Sequence, residues 1–390
     1  MRDLHVKDGE RREIAVVEDG RLVEYLLDNP SEQTVGAVYV GRVERIVPGM
    51  KAAFVDIGQE KNGFLPLEEP NLPDAEKLQT GMAVLVQVKK EAHGNKGPFL
   101  LRDISLFGEY ALVMPLNRKI GVSSRIFDEA QRNRLHTMGE RIGQGQFGVV
   151  MRSSSVDAEE ADVHNEAATL MEQWECIRKA APTAHVPSML LAPRSLLSSA
   201  LDDYLPRGID CIHTNSPEMR EMLSTIASTM LWPDNWMTAL GLERQRDNAL
   251  ERRVRLDSGG TLIIDQCEAL TVIDVNTAQY TGKRQPEETF LKLNLEACEE
   301  IARQVRLRNI GGIILIDMID MESEEAREKV LAALAEAFAR DRIKTVIHGF
   351  TSLGLVEMTR KRSRKPLRDE WTKPCVTCHG KGYVKEEDHG

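Results

Sequence analysis

The chain has 390 residues, 42% hydrophobic and 29% charged, which is ordinary globular material with enough length for two or three cored domains. A formal net charge of −10 excludes indiscriminate polyanion binding and leaves nucleic-acid affinity to local basic patches. The charged start MRDLHVKDGERRE has no apolar signal core, and no run reaches the roughly 18 apolar residues that span a bilayer, so a cytoplasmic location is expected.

In chain order, residues 13–28 predict a β-hairpin, because two apolar-rich runs flank Asp19-Gly20, a dipeptide suited to a tight two-residue turn. From 34 to 115, about five short strands with glycine at the turns predict a small closed barrel of the oligonucleotide-binding type. The order Gly41-Arg42-Val43, AAFVDIG, GFLP resembles an S1 RNA-binding domain. In that resemblance Phe54 and Phe64 face RNA, with Lys89, Lys90 and Lys96 supplying phosphate attraction. The alternative is that both rings fill the barrel core. Residues 145–152 read as a strand running into Arg152-Ser153-Ser154, and 158–180 as an acidic helix with Ala161, Ala168, Leu170, Met171 and Trp174 on its apolar side. Beyond Pro187 a helix–strand–helix stretch extends to about 230, with Asp210-Cys211-Ile212 as its strand. Residues 241–253 read as a helix carrying Arg244, Arg246, Arg252 and Arg253.

Organisation is strongest after 255. Strands 261–265 and 269–276 are separated by three residues, which predicts an antiparallel pair. A helix over about 287–309 follows, expected to stop at Gly311-Gly312. Then GIILIDMIDM reads as a buried strand ending in Asp317, with Asp320 on the opposite strand face in a supporting place. A further helix (323–340), a strand (343–347) and a basic segment complete the domain. Five of the six residues from Arg360 to Lys365 are basic, usually no more than a solvated face.

Two apolar strands each ending in aspartate carry the chemistry. Asp274 and Asp317, with Asn276 nearby, would crowd two carboxylates that stay ionised together only around a cation. A hard divalent ion such as Mg²⁺ takes one or two carboxylates and completes its shell with water and phosphate. Cys375-Val-Thr-Cys378 is the one close pair among six cysteines; Cys176, Cys211, Cys267 and Cys298 are scattered. Its spacing suits Zn²⁺, with the remaining ligands from His379 and another residue or from a second chain. Arg152 beside Ser153 offers a planar donor fork and a hydroxyl to a terminal phosphate, although the dipeptide is common.

The segments YVGRVERIVPGMKAAFVDIG, GNKG, SGGTLIIDQCEALTVIDVNTA, IARQVRLRNIGGIILIDMIDM, HGFTSLGLVEMTRKR and CVTCHGKG, in this order, resemble the ribonuclease E/G family of bacterial endoribonucleases. The resemblance implies an α/β multidomain fold. Its parts are an RNase H-like domain in two pieces (1–33 and 189–249), an S1 domain (34–115), a 5′-sensor (116–188), a DNase I-like catalytic domain (250–371) and a zinc-link with tail (372–390). It implies Mg²⁺ on Asp274 and Asp317, with Asn276 orienting the site. It further implies a pocket for an RNA 5′-monophosphate at Arg152, Ser153, Gly121 and Val122, and RNA contacts from Phe54, Phe64, Lys96, Lys344, Arg360 and Arg362. The implied activity is Mg²⁺-assisted hydrolysis of single-stranded RNA in rRNA maturation and mRNA turnover; an RNA-binding protein without catalysis is the alternative. Two departures stand out: Arg152-Ser153 where the family commonly has Arg-Thr, and only twelve residues after Cys378. The second favours a homodimer linked by Zn²⁺ through Cys375 and Cys378 over a tetramer.

Overall fold

Asp19 and Gly20 both adopt positive φ (50° and 78°), turning the chain between strands Arg12–Glu18 and Arg21–Asp28 as the expected hairpin. The computed structural model describes all residues except 29–33, 73–76, 93–95, 125, 278–285, 363, 379, 381, 383 and 385–390, and the side chains of 286–287. His379, weighed above as a zinc ligand, therefore lies outside the described residues. The chain forms two compact units, Met1–Leu27 with Ile209–Gly390, and Asp28–Gly208.

In the first unit the hairpin belongs to a five-stranded sheet. Arg2–Lys7 pairs antiparallel with Arg12–Glu18 on one side and parallel with Cys211–Thr214 on the other, and Thr229–Leu231 extends the parallel edge. A second sheet has six strands in the order Arg253–Arg255, Thr261–Gln266, Leu270–Asn276, Gly312–Asp317, Val356–Arg360, Thr345–Phe350. Leu270–Asn276 and Gly312–Asp317 are parallel, so the chain must cross over between them, and the helix Pro286–Leu307 is that crossover. Its Ala297, Ile301 and Val305 join Val330, Leu334 and Phe338 of the helix Glu324–Ala339 in one core with Ile273, Ile314, Ile316 and Met358 of the sheet. Helices thus cover one sheet face, while Val272, Asp274 and Asn276, or Ile313, Leu315 and Asp317, alternate onto the other.

The crossover helix ends differently from the expectation. Asn309 (φ 50°) takes the left-handed conformation, Ile310 N–H returns to Val305 C=O at 3.0 Å, and the Asn309 amide donates to the carbonyls of Arg364 and Lys365 at 3.0 Å. Asparagine tolerates that conformation because its short polar side chain finds local partners. The glycines serve close packing instead: a Cβ on Gly311 would lie 3.0 Å from Arg362 Cα.

The basic segment also reads differently in three dimensions. Residues 356–360 form a strand of their own, with Val356, Met358 and Arg360 facing the core. Arg360 is 2% exposed; its Nε donates to Asp341 Oδ2 at 2.6 Å and a terminal nitrogen to Ile310 C=O at 2.8 Å. This overturns the assignment of Arg360 to RNA contact. Lys344 and Arg362 remain exposed.

In the second unit, strands Val38–Val47, Ala52–Asp56, Gly63–Pro66, Phe99–Leu101 and Ala83–Lys90 close a five-stranded barrel, the first pairing back onto the last. Gly41 lets the first two strands approach closely, since a Cβ there would sit 2.8 Å from the Asp56 carbonyl oxygen. The barrel ends earlier than 115. Leu106–Phe107 and Ala111–Met114 leave it to form a separate sheet with Ile120–Val122 and Gly148–Met151, packed beneath the helices Glu129–Gly143 and Glu160–Ala180. The first of these helices was missed by the sequence reading. The second buries Val163, Ala167, Leu170, Trp174 and Ile177, so Ala161 and Ala168 are not on its packed side. Strand Ser188–Leu191 pairs with Val38–Val47, so residues up to Gly208 belong to this unit, whereas the sequence placed 189–249 together.

Asp341→Ala leaves the Arg360 guanidinium buried without its anion. The expected cost is about 3–5 kcal/mol of unfolding free energy by urea titration. Replacing both members by leucine should recover most of it.

Candidate functional site

Parallel pairing places Asp274 directly opposite Asp317. Each ends an apolar run whose alternate residues are locked in the core, so both carboxylates emerge on the helix-free face of the sheet. Asn276, one alternation beyond Asp274, donates from Nδ2 to Asp274 Oδ2 at 2.7 Å, fixing that carboxylate's orientation. Partial burial, Asp274 and Asp320 together raise the Asp317 carboxyl above its ordinary value. The strand stops at Asp317, so strict alternation does not extend to Asp320, whose charge is felt at Asp317. Across the antiparallel neighbour, Asp265 lies on the same face, and Arg252 grips it at 2.5 and 2.7 Å. This pair holds a cation within electrostatic reach of Asp274 and was missed in sequence, where Arg252 was read into a helix; that helix is shorter, Leu242–Asn248. Two register-matched aspartates whose mutual repulsion is felt at Asp317 are the kind of pair that a hard divalent cation such as Mg²⁺ could bridge.

In the second unit, Gly121 and Val122 pair in parallel with Val150 and Met151, bringing them to the strand end that Arg152 and Ser153 follow. The structure therefore gathers the four residues proposed for phosphate sensing. It adds two that sequence reasoning missed: Arg152 donates to Asp202 at 2.6 Å and to the Gly108 carbonyl, and Arg194 grips the same Asp202. Two guanidinium groups thus share one carboxylate, with the Glu166 carboxylate close by, accepting from the Tyr110 and Ala111 amides.

On the barrel, Phe54 and Phe64 do not fill the core. Their neighbours Ala53, Val55 and Leu65 do, while the two rings stand half-buried on the outer face. Register pairing runs Phe54–Phe64–Phe99, with centroids 6.1 Å apart edge-to-face and 5.7 Å apart stacked. Arg45 lies over Phe54 at 5.1 Å and Lys90 over Phe99 at 5.8 Å; Lys89 and Lys96 are exposed. Phe99 had gone unnoticed in sequence, because only sheet pairing puts it in this row. A row of half-exposed rings edged by cations has the geometry on which bases could stack.

Cys375 is exposed and Cys378 half-buried. Backbone hydrogen bonds from Cys378 and Thr377 pull the Cys375 thiol down to about 7, and Gly382 N–H points at Cys378 Sγ at 3.4 Å. Amides that stabilise thiolates are what a thiolate metal clamp uses.

The model of the Ribonuclease E/G family matches residues 105–363, and the chain belongs to that family. It is 37% identical to ribonuclease G of Haemophilus influenzae over 98% of this chain and 83% of the relative, and 37% identical to ribonuclease G of Escherichia coli over 98% and 84%. To ribonuclease E of Escherichia coli it is 34% identical over 99% of this chain but 39% of that protein.

The raised Asp317 carboxyl has a consequence for stability. A carboxyl whose folded value exceeds its ordinary 3.8 contributes most when protonated and loses that contribution as pH rises through the folded value. Asp317→Asn should therefore melt higher than the parent at pH 7 in EDTA. The gap should close below pH ~4, the ordinary carboxylate range, as followed by thermal circular dichroism.

Proposed function

We propose that the chain is an endoribonuclease that hydrolyses phosphodiester bonds in single-stranded RNA during RNA processing and decay. The observation that carries this reading is the register match of Asp274 and Asp317, supported by the family membership and by the aromatic row on the barrel. Asp274 and Asp317 would hold Mg²⁺, which supplies Lewis acidity at the scissile phosphate and a water of lowered pKa. Asn276 keeps Asp274 turned toward that position. Phe54, Phe64 and Phe99 hold successive bases by stacking, which tolerates many sequences, while Arg45, Lys90 and Lys96 attract the backbone. Lys344 and Arg362 are exposed in the unit that carries the carboxylates and would add phosphate contacts there. Hydrolysis would leave a 5′-phosphate and a 3′-hydroxyl.

Asp274→Asn and Asp317→Asn should each lower cleavage of an unstructured RNA by roughly three orders of magnitude, the loss of several kcal/mol of transition-state stabilisation, with RNA binding retained. EDTA should do the same to the parent chain. Normal turnover by both purified variants would remove the metal assignment, and binding without metal-dependent cleavage would mark a non-catalytic RNA-binding protein.

Arg152, Ser153, Gly121 and Val122, with Arg194 sharing Asp202, would read the 5′ end. An RNA carrying a 5′-monophosphate should be cleaved faster than its 5′-hydroxyl twin, and Arg152→Ala should erase the difference. Equal rates in the parent would leave the pocket without this role. Cys375 and Cys378 would share one Zn²⁺ with the same pair of a second chain. Cys375→Ser/Cys378→Ser should then shed half an ion per chain and shift the mass in solution from dimer to monomer; loss of a whole ion per chain would contradict sharing.

A further inference from the structure

The five-stranded sheet of the first unit carries another cluster of ligand-type side chains, apart from every site above. Asp3 and His5 alternate along one strand, and parallel pairing sets His5 opposite His213 and Asp3 opposite Cys211. All four side chains therefore leave the same sheet face as a two-by-two block. Asp3, His5 and His213 are 9%, 3% and 8% exposed, and one ligand atom of each lies within 4.8 Å of those of the others.

Their polar atoms are poorly served. The imidazoles stack with centroids 4.4 Å apart, and His213 Nε2 is 3.8 Å from Asp3 Oδ2, too far for a hydrogen bond. Asp3 Oδ1, His5 Nδ1 and His213 Nδ1 are buried with no hydrogen-bond partner. Native interiors pair nearly all such atoms, and each exception calls for a reason, an unseen ion among them. The surroundings are apolar and aromatic: Trp236 stacks on His5 at 4.9 Å, and Trp232 meets His213 edge-on at 5.1 Å.

We propose that Asp3, His5 and His213 form a structural transition-metal site, best suited to Zn²⁺, with Cys211 placed by register to supply the fourth ligand. Two imidazoles, a carboxylate and a thiolate are a borderline-soft, four-coordinate set; Mg²⁺ and Ca²⁺ favour all-oxygen shells. The Cys211 thiol now leans on the Ile212 carbonyl at 3.7 Å and on Ser228, contacts that rotation into the site would exchange for the metal. An ion here clips the first strand of the chain to one that begins more than two hundred residues later.

The test uses the full-length Cys375→Ser/Cys378→Ser chain, so that the thiolate pair takes no metal, with millimolar Mg²⁺ present to occupy the carboxylate pair. After metal removal it is titrated with Co²⁺ and then Zn²⁺. One Co²⁺ per chain with the intense visible absorption of a tetrahedral site, displaced by Zn²⁺, is the expected result. His213→Gln should lower Co²⁺ affinity at least tenfold with an unchanged circular dichroism spectrum. Asp3→Asn, nearly isosteric, provides the same reading if His213→Gln does not fold. Absence of stoichiometric binding, or binding with the same spectrum and affinity in the variants, overturns the site.

Discussion

Everything at the carboxylate centre depends on the parallel pairing of Leu270–Asn276 with Gly312–Asp317. Side chains alternate along a strand, so a slip of one residue would turn Asp317 into the core and Ile316 out of it. The buried set Ile273, Val275, Ile314 and Ile316, packed under the two helices, makes that slip prohibitive. Hydrophobic burial therefore positions two charges that repel one another. The raised Asp317 carboxyl is the electrostatic residue of that arrangement, and a bound cation would convert it into attraction. Stability is given up where the proposed chemistry needs it.

Basic residues in the same unit separate by what surrounds them. Arg360 is locked onto Asp341 and the Ile310 carbonyl, while its sequence neighbours Lys361 and Arg362 are exposed. Taking a guanidinium out of water is tolerable only when its donors are matched, and here they are matched at the end of the crossover helix. Asn309, which stops that helix, also hydrogen-bonds Arg360 and the Arg364 and Lys365 carbonyls. The basic run is thus partly a structural latch and partly a solvent-facing surface.

Within the other unit, the proposed RNA contacts are divided between the barrel and the small sheet beside it. The barrel core is aliphatic, which frees three phenylalanines to stand outside it. At the end of the small sheet, Asp202 holds two guanidinium groups in place. Such an arrangement preorganises the two guanidinium groups.

The turn at Asp19-Gly20, the barrel texture, the paired strands around 270 and both aspartates could be read along the chain, because these rest on local turn chemistry and on short-range alternation. The Ribonuclease E/G membership was legible for the same reason: its motifs are contiguous. Relations between distant residues were set by three-dimensional packing instead. Phe99 joins Phe54 and Phe64 through strand pairing, Arg194 joins Arg152 through a shared carboxylate, and Arg360 leaves the surface because its strand turns it into the core. The barrel's early end and the helix stop at Asn309 belong here too. Chain neighbours report periodicity, but which side chains meet, and which charges lose their water, is set by packing across hundreds of residues.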